Sequence, residues 1–545
     1  MTLTGIDPND PTPATRRELI FGAGLSSGGT SRDVVLFGSY TTTIPAVAPA
    51  TWKDIQNTLG VAVADDADCR ARFGQRSELY RMYRSYVAVD PSATIYCVPV
   101  TAAVGGVAGY CTLTYAVAPG PACTTATTQE IVIQGTVITV PIAVGDTAIV
   151  IGGNVTAAIN AADDGKLEVI ATDGGAGVVT VTCVAANVRG AHIIGNTAVP
   201  THGLRVRFQS PTDVTCAKAI PALGEAAGID DFGPALASVE NSEIYYHVTP
   251  KHTTNAAPGT LLGDLTALSA TDGSIGEHMA SITTQALPIN GKEQVLIAAL
   301  VLTQAQHTSV TTSLFVNSAR AFFFSQENSD CTPAMIAAHN AAVVRINQVA
   351  HPGANFAGYS NTDTTVYRML PPFNIGDRPT ATEIRADLNN GVCPVACTAN
   401  GKPYLVRFIT SRSMAADGVS HDYRARPGHV TSVLDFTWGV IKARWLTTKQ
   451  PFVADDPAEG QKPTIKTSTP GYLKALIYNV IDDLASNKPL GKYDGPILAP
   501  DKVTQMKASV NTSRIAAGLT GAANFYAVEH LYKGEFTLRE TGESY

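Results

Sequence analysis

The chain has 545 residues, a formal net charge of −7 and a charged-residue content of 16%. This length predicts several domains, and the charge content, against roughly 25% in an average soluble protein, indicates that other subunits cover part of the surface. The acidic balance argues against nucleic acid as a partner, because phosphate binding requires clustered Lys and Arg. No apolar stretch approaches the ~20 residues of a membrane helix, and the first residues lack the pattern of a signal peptide. Assembly in a cytoplasm without membrane insertion is therefore expected.

Residues 1–33 are predicted to form an N-terminal arm. Pro8, Pro11 and Pro13 suppress regular structure, and the glycines between 22 and 29 add flexibility. A strand candidate lies between these segments without an obvious partner nearby, although a strand must pair to satisfy its N–H and C=O groups. This strand candidate comprises Arg17, Glu18, Leu19, Ile20 and Phe21.

Residues 34–100 predict the first part of an α/β core. Asp33–Gly38 has the apolar run of a buried strand, and Ala93–Val100 is a second strand candidate. Apolar residues recur at helical spacing over 74–90, between the two strands. This order predicts a parallel βαβ unit.

Residues 101–200 predict an inserted β-rich domain, because the composition changes abruptly. Only Glu130 and Asp146 are charged between 101 and 160, and short Val, Ile and Thr runs are separated by Gly, Asn and Asp. One helix is expected around Val155–Ala162, and the α/β pattern is expected to resume at Leu204–Phe208. The expected strands are Ile131–Ile133, Val137–Val140, Leu167–Ala171 and Val178–Cys183.

Residues 201–520 are interpreted as the second part of the core, and residues 521–545 as C-terminal strands or an arm. Asn400-Gly401 predicts the turn of a hairpin over Cys393–Thr410, and a short helix is expected after Pro500. The expected strands are Glu243–Val248, Glu293–Thr303, Tyr404–Thr410, Asn524–Tyr532 and Glu535–Arg539. The expected helices are Thr332–Val349, Thr431–Leu446 and Pro470–Leu484.

These elements together predict a multidomain α/β (α+β) fold. A mixed-sheet core with helices is interrupted by the inserted β-rich domain and carries extended N- and C-terminal arms.

The sequence does not predict a catalytic site. Gly24–Gly28 matches the G-x-S-x-G pattern of an acyl hydrolase with Ser26 as nucleophile, but Gly29–Asp33 is a poor helix start, so an arm linker is the favoured interpretation. No Gly-Lys pair is followed by Ser or Thr, as a phosphate loop requires. Cys393 and Cys397 lack a second pair at zinc spacing. No enzyme activity, cofactor or metal is therefore expected.

The nine cysteines have two interpretations. In a cytosol they are free thiols that pack as small hydrophobic side chains, whereas outside the cell their odd number leaves room for disulfides between subunits. Cys393 and Cys397 cannot pair with each other in an extended segment, because their Cα atoms would lie roughly 13 Å apart, beyond the ~7 Å limit. The candidates for inter-subunit disulfides are Cys69, Cys97, Cys111, Cys123, Cys183, Cys216, Cys331, Cys393 and Cys397.

The order of sequence features matches a known family over nearly the whole chain. Val34–Gly38 is similar to that family's first core strand, and Phe73–Met82 resembles its helix start F-G-x-G-S-x-L-x-x-M, with Arg76 where Gly is usual. Further similar segments are Gly145–Ala148, Ala157–Ala161, Leu388–Val392, Val406–Ser411, Ile497–Lys502 and Val528–His530. On this order and spacing, the chain resembles the contractile tail sheath proteins, in particular the branch found in Mu-like phages.

The resemblance implies a structural subunit that polymerises helically around a tail tube and contracts to drive the tube through the host envelope for genome delivery. The implied partners are further copies of the chain, the tail tube protein, and baseplate and tail terminator proteins, and the implied location is the virion. Terminal arms are expected to lend strands to neighbouring subunits, and the inserted domain to face outward. The implied strand donors are residues 17–21 together with Val528, His530 and Tyr532.

Three other functions fit parts of the sequence. A contractile bacteriocin or injection particle has the same kind of sheath without a genome. Residues 101–200 alone fit an adhesive β-rich surface domain. An acyl hydrolase based on Ser26 is the third alternative. For the sheath, thiols at subunit contacts are expected to oxidise after the particle leaves the reducing host cytoplasm.

Overall fold

The computed structural model describes most of the central chain and parts of the rest. The described residues are 32–41, 62–100, 107–184, 193–195, 203–210, 212–222, 232–239, 242, 244–250, 275–285, 293–300, 317–326, 329, 331–350, 359–360, 378–397, 403–414, 427–448, 452–453, 456, 458, 467–485, 508–513, 518–523, 528–530 and 537–539. The predicted α/β multidomain fold is confirmed, with helices, parallel strands and antiparallel strands all present.

The strands in chain order are β1 (Val34–Gly38), β2 (Ile95–Pro99), β3 (Tyr110–Val117), β4 (Thr127–Ile133), β5 (Thr136–Ile142), β6 (Val169–Asp173), β7 (Val178–Cys183), β8 (Arg205–Phe208), β9 (Val214–Ala222), β10 (Tyr246–Val248), β11 (Val295–Leu300), β12 (Ala321–Ser325), β13 (Tyr359–Ser360), β14 (Val392–Cys397), β15 (Pro403–Leu405), β16 (Phe452–Val453), β17 (Thr467–Ser468), β18 (Ala508–Ser513), β19 (Gly518–Ala523), β20 (Val528–His530) and β21 (Thr537–Arg539). The α-helices are α1 (Asp66–Phe73), α2 (Glu78–Val87), α3 (Ala148–Ala161), α4 (Gly233–Val239), α5 (Ile275–Gln285), α6 (Pro333–Ala350), α7 (Ala381–Asn389), α8 (Gly428–Thr448) and α9 (Pro470–Ala485).

The chain divides into two compact units. The larger unit contains Asp33–Val343 and Gly358–His421, and therefore holds the main sheet and the inserted domain. The smaller unit includes Arg32, the end of α6 from Val344, and the elements from α8 to β21.

The main sheet of the larger unit has eight strands in the order β13-β15-β14-β12-β11-β10-β1-β2. The six strands from β14 to β2 are parallel, and β15 and β13 extend the sheet with antiparallel pairs. In chain order the parallel strands run 2-1-3-4-5-6, which is a doubly wound arrangement. The predicted βαβ unit is confirmed, because β1 and β2 are parallel with α1 and α2 between them. Strands β14 and β15 confirm the predicted hairpin, but its second strand ends at Leu405 rather than Thr410, and the predicted turn at Asn400-Gly401 lies outside the described residues.

Helices cover both faces of the sheet at β1. On one face, a Cβ placed on Gly38 would lie 3.3 Å from the Leu79 backbone of α2. On the other face, Phe37 belongs to the buried cluster that contains Leu236 of α4, and its ring contacts His278 of α5. All five residues of β1 are buried, as the continuous apolar run of a parallel central strand predicts.

The inserted domain consists of two antiparallel sheets, β6-β7-β3-β9 and β5-β4-β8, packed with α3. The chain enters along β3 and leaves along β9, and these two strands pair, with Tyr110 opposite Ala222. The predicted resumption of the α/β pattern at Leu204–Phe208 is wrong. Strand β8 instead pairs with β4 of the inserted domain, and β9 with β3, so the domain's sheets continue past residue 200 to Ala222.

Helix α3 is longer than predicted, because its start lies at a polar cap before the expected apolar residues. The Thr147 side chain accepts a hydrogen bond from the Val150 backbone N–H, which fixes the helix start. Ile151, Val155 and Ile159 then recur at helical spacing and enter the core between the two sheets.

The smaller unit is organised around α8 and α9. Val433, Val480 and Ile481 are buried in their common apolar cluster, and Arg444 donates a hydrogen bond to Asp483 across the pair at 2.7 Å. The described residues of this unit also form three two-stranded ladders: β16 with β17, β18 with β19, and β20 with β21. The helix expected after Pro500 is not seen at Ala508–Ser513, which forms β18; residues 501–507 lie outside the described residues.

We expect Gly177→Ala to destabilise the inserted domain more than Gly175→Ala. Both glycines lie in the left-handed region, with φ of 78° and 72°, so both changes carry a backbone cost of about 1–2 kcal/mol. A Cβ on Gly177 would also lie 2.8 Å from Ala148 Cβ, which adds about 1–3 kcal/mol of overpacking, whereas a Cβ on Gly175 meets open space. Urea unfolding of the full chain measures the difference, and equal midpoints for the two variants would contradict the close approach.

Candidate assembly surfaces

Some of the predicted strand donors lie among the described residues, and the others do not. Arg17, Glu18, Leu19, Ile20, Phe21 and Tyr532 lie outside the described residues. Val528 and His530 lie in β20, which pairs antiparallel with β21 of the same chain, with Val528 opposite Arg539 and His530 opposite Thr537. One edge of β20 is therefore used within the chain, and strand donation between subunits stays a prediction.

The smaller unit presents backbone edges at its C-terminal strands. Strands β18 and β19 form a six-residue ladder from Ala508 opposite Ala523 to Ser513 opposite Gly518, and β18 lies beside α9. Within the described part of the chain, each of the strands β18 to β21 has one paired neighbour. A two-stranded ladder is marginal by itself, and an unpaired edge presents a row of N–H and C=O groups to another strand.

Arg32 fixes the chain where the predicted N-terminal arm ends. Its Nη1 donates hydrogen bonds to Gln348 Oε1 at 3.2 Å and to Ser432 Oγ at 2.9 Å. Its backbone carbonyl accepts a hydrogen bond from Arg345 Nε at 2.6 Å. Arg32 therefore bonds to the end of α6 and to the first turns of α8, and the sequence contains no local pattern that predicts these partners.

All nine cysteines are described, and none forms a disulfide in the chain. Cys216 and Cys397 are half-buried, and the other seven are buried. A buried thiol cannot reach a neighbouring subunit without local opening, so burial argues against an inter-subunit disulfide for seven of the nine candidates. For Cys216 and Cys397 the disulfide stays a prediction. The seven buried cysteines are Cys69, Cys97, Cys111, Cys123, Cys183, Cys331 and Cys393.

Burial also lowers the reactivity of the thiols. It raises the pKa of Cys216 and of Cys397 to about 11, and that of Cys393 to about 12. Burial, followed by a hydrogen bond with the Cys69 thiol, raises the pKa of Cys97. Because the thiolate is the reactive form, a raised pKa disfavours oxidation of these groups at neutral pH.

An ion-pair cluster around Asp163 joins the inserted domain to the core. Arg81 Nη1 and Arg84 Nη1, from α2, both donate to Asp163 Oδ2, the second at 2.5 Å. Burial acts to raise the pKa of Asp163, but the hydrogen bonds and charges of Arg84 and Arg81 outweigh it and hold this pKa below its usual value. Asp163 has a left-handed backbone with φ of 51°, and it lies in the short turn Ala162–Gly165 that follows α3.

Four further hydrogen bonds surround the Asp163 cluster. Arg76 donates from Nε to the Gly165 carbonyl at 2.9 Å and from Nη1 to the Val169 carbonyl at 3.1 Å, while Gln75 Nε2 donates to the Gly165 carbonyl at 3.0 Å. Arg81 Nη2 also donates to the carbonyl of Gln134, in the turn between β4 and β5. The residue that departs from the family's helix-start pattern, Arg76, therefore binds the inserted domain directly.

The sequence analysis does not identify this cluster, because two adjacent Asp residues such as Asp163 and Asp164 are typical of a solvated loop. Asp164 is indeed exposed, with 88% of its side chain accessible, but Asp163 retains only 18%. A signal was present in α2, whose two Arg residues, Arg81 and Arg84, stand three positions apart and therefore project to one side of the helix.

A buried histidine pair lies beside β1. His247 Nδ1 of β10 and His278 Nε2 of α5 are 3.0 Å apart, and Phe37 meets the His278 ring edge-on with centroids 5.0 Å apart. The other ring nitrogens, His247 Nε2 and His278 Nδ1, are buried without a hydrogen bond of normal geometry. Burial lowers the pKa of His247 to about 3, against a smaller opposing effect of the Ile244 backbone, and it also lowers the pKa of His278. Both rings are therefore neutral at physiological pH.

The predictions about a metal site, a membrane helix and a catalytic serine concern residues that are only partly described. Among them, no group of three or more His, Cys, Asp or Glu side chains is arranged to hold a metal ion. No helix in the described ranges has the length and apolar character to cross a membrane. Ser26, the nucleophile of the hydrolase alternative, lies outside the described residues.

The solved structures that are similar to part of this chain include two from the anti-feeding prophage. One is a chain of the baseplate of the anti-feeding prophage, which aligns over 53% of this chain and 66% of its own length at 12% identity, with a TM-score of 0.32. Another is a chain of the helical sheath of the anti-feeding prophage in the contracted state, which aligns over 58% of this chain and 76% of its own length at 14% identity, with a TM-score of 0.33. No protein-family model and no curated protein matches the chain.

We expect Asp163→Asn to lower the free energy of unfolding by about 2 kcal/mol, the usual scale for hydrogen bonds to a charged group. Asp164→Asn is the matched control, because it has the same left-handed backbone, with φ of 53°, and an exposed side chain. Since the folded-state pKa of Asp163 is lowered, its contribution is present above the unfolded value of ~3.9 and is lost as pH falls through the folded value. Urea denaturation should show a larger difference between the two variants at pH 7 than near pH 3. Equal effects of the two variants at pH 7 would show that the cluster does not stabilise the fold.

The histidine pair predicts a second pH dependence of the free energy of unfolding, in a higher pH range than that of Asp163. The folded pKa of both rings is lowered, so their contribution is complete above the unfolded value of ~6.5 and is lost as pH falls toward 3. Each ring contributes up to about 1.4 kcal/mol per pH unit in this window. His278→Phe removes one titrating ring, so its free energy of unfolding should fall less steeply than that of the wild type between pH 6 and pH 4. Parallel curves would mean that the pair does not control acid stability.

Proposed function

We propose that the chain is a structural subunit of a contractile tail sheath, rather than an enzyme. Copies polymerise helically around a tail tube, and contraction drives the tube through the host envelope for genome delivery. Membership of the Mu-like branch is part of the proposal, as are the partners: further sheath subunits, the tail tube protein, and baseplate and tail terminator proteins. The particle is a virion assembled in the cytoplasm of a host bacterium.

The observation that carries the proposal is the set of strand edges in the smaller unit. Strands β18 to β21 form two antiparallel ladders, and each strand has one neighbour within the described residues. Edges of this kind accept a strand from another chain, which supplies main-chain hydrogen bonds. The N-terminal segment 17–21 has the composition of such a strand, and Arg32 fixes the chain at the base of the arm that carries it.

Two further features support assembly from many copies. The charged content of 16% indicates a surface that is partly covered by other subunits. Head-to-tail exchange of strands is heterologous, and heterologous contacts give open helices when the rotation does not close a ring. The order of segments that resembles tail sheath proteins spans Val34 to His530 and therefore includes both units.

A sheath of a contractile bacteriocin or injection particle remains the alternative within this class. It requires the same strand edges and the same inserted domain, so a neighbouring capsid gene is the feature that separates the two. The acyl hydrolase based on Ser26 and the adhesive surface protein have no supporting observation among the described residues.

The proposal predicts self-assembly of the purified full-length chain. Negative-stain electron microscopy at rising concentration should show long, hollow, striated tubes. Replacement of residues 17–21 by five Gly and Ser residues keeps the arm length but removes the strand candidate, so this variant should stay monomeric with unchanged thermal stability. Monomeric wild-type protein at every concentration would overturn the proposal.

The matched control replaces residues 7–11, in the same arm, by five Gly and Ser residues and should assemble like the wild type. Loss of tubes in both variants would mean that the arm acts through its bulk rather than through strand pairing. The same samples with and without reductant test the thiols. Cross-linked chains that appear only without reductant, and disappear in Cys216→Ser or Cys397→Ser, would establish an inter-subunit disulfide.

A further inference from the structure

The side chain of Cys97 lies on the face of the main sheet that α2 covers. Alternate residues of a strand share a face, and residues paired across neighbouring strands lie on the same face. Cys97 pairs with Leu36, which is two positions from the Gly38 that packs against α2. Tyr96 and Val98 of β2 lie on the opposite face, in the apolar cluster shared with α4. Register and packing therefore agree on where the Cys97 thiol points.

Helix α1 brings a second thiol to the same place. The chain before α1 runs beside β2, because the Val63 N–H donates to the Ile95 carbonyl at 2.9 Å. Cys69 and Phe73, one turn apart, are the buried residues of α1. The thiols of Cys69 and Cys97 lie within hydrogen-bonding reach of each other, and each residue is at most 1% exposed. Two thiol groups on different elements are therefore in contact in the core.

Access to the two thiols depends on α1, which is a short helix at the surface. Asp66, Ala67, Arg70 and Ala71 are exposed, so half of its eight residues face solvent. A segment with few buried side chains opens at a lower free-energy cost than the whole fold. Local opening of α1 exposes both thiols to a small molecule and leaves the strands of the sheet paired.

We propose that Cys69 and Cys97 form a redox site that closes into an intrachain disulfide by exchange with a low-molecular-weight disulfide, RSSR. One cysteine attacks RSSR as its thiolate, which gives a mixed disulfide on the protein and RS⁻, and RS⁻ takes up the proton that the cysteine lost. The second cysteine then attacks the protein sulfur of the mixed disulfide, so that the Cys69–Cys97 bond forms and a second RSH leaves. The two protein thiols together lose two electrons, and RSSR gains them.

The contact between the two thiols favours this product over other pairings. The second step is intramolecular between groups that already touch, so it is faster than an encounter with a thiol of another chain. Only a change of side-chain rotamers and a small shift of α1 are needed to bring the sulfur atoms to the bonded distance of about 2.05 Å. The inference goes beyond the proposed function and does not rest on it.

The environment of the site makes the first step dependent on the opening of α1. Burial raises the pKa of Cys97, and the positive charge of Arg72 opposes this effect only in part. The closed site therefore holds little thiolate at neutral pH and is protected from oxidants. In a reducing cytoplasm the site stays a dithiol, and in oxidising surroundings it is converted. The closed loop contains all of α2, so the bond fastens α1 to β2.

The test is oxidation of the purified, folded full-length chain by glutathione disulfide at pH 8, followed by alkylation in denaturant and peptide mapping. A Cys69–Cys97 linked peptide pair should be the main disulfide product. Its yield should be at least fivefold higher than in the same reaction with the chain unfolded in urea, where nine cysteines pair without guidance from the fold. Cys393 is the internal control, because it is equally buried but its thiol donates to the Ile409 carbonyl at 2.9 Å. Linked peptides of Cys393 should be at least tenfold rarer.

Hydrogen exchange measures whether the bond fastens α1. Backbone amides of residues 66–73 should exchange at least tenfold more slowly in the oxidised wild type than in the reduced protein. Cys97→Ala, treated with the same oxidant, should show no slowing, whereas Cys393→Ala should behave like the wild type.

Two results would overturn the inference. One is a Cys69–Cys97 yield in the folded chain that is no higher than in urea, and the other is a linked pair whose α1 amides exchange as fast as in the reduced protein. Both measurements are made within single chains and do not require tubes. A chain that never assembles would therefore contradict the proposed function alone.

Discussion

Strand β1 is hydrogen-bonded along both edges, to β2 on one side and to β10 on the other, and the rest of the larger unit depends on this double pairing. The chain must leave the sheet after Pro99 and return at Tyr246 to within the ~4.8 Å spacing of neighbouring strands. A long flexible excursion would make this return entropically costly. Pairing of β3 with β9 reduces the problem, because it brings the entry and exit of the inserted domain side by side.

The same constraint explains why the inserted domain is also held from the side. Two paired strands fix where the domain is attached, but they leave its orientation free to vary. Arg76, just before α2, and Arg81 and Arg84 of α2 bind carbonyls and the Asp163 carboxylate of the domain. Helix α2 itself packs on β1, through Leu79 against Gly38. The orientation of the inserted domain is therefore fixed relative to the central strand. Rigid orientation matters for any surface that the domain presents to another molecule.

The sequence predicted best where one local signal was sufficient. The apolar run 34–38 identified a buried strand, Asn400-Gly401 identified a hairpin, and Pro470 with its apolar stripe gave the ninth helix within one residue. It failed where the outcome depended on a distant partner. The composition of Arg205–Phe208 fits a strand of the main sheet as well as a strand of the inserted domain. Only its pairing with β4 assigns it to the inserted domain.

The C-terminal ladders could not be predicted from the sequence for a different reason. The sequences of β18 and β19, ASVNTS and GLTGAA, are poor in the β-branched and aromatic residues that mark strands, so pairing rather than propensity establishes them. Prediction of the candidate site from the sequence was restricted in the same ways. The arm strand 17–21 could be proposed from its composition, but the Asp163 cluster joins residues about eighty positions apart, and the partners of Arg32 lie more than three hundred positions away. No local pattern encodes such partners.

In the proposed assembly, backbone pairing at the edges of β18 to β21 is the directional contact. Separation of a paired strand leaves N–H and C=O groups to be solvated again, so a donated strand stays in one register. Subunits that are linked in this way stay joined while their bodies shift.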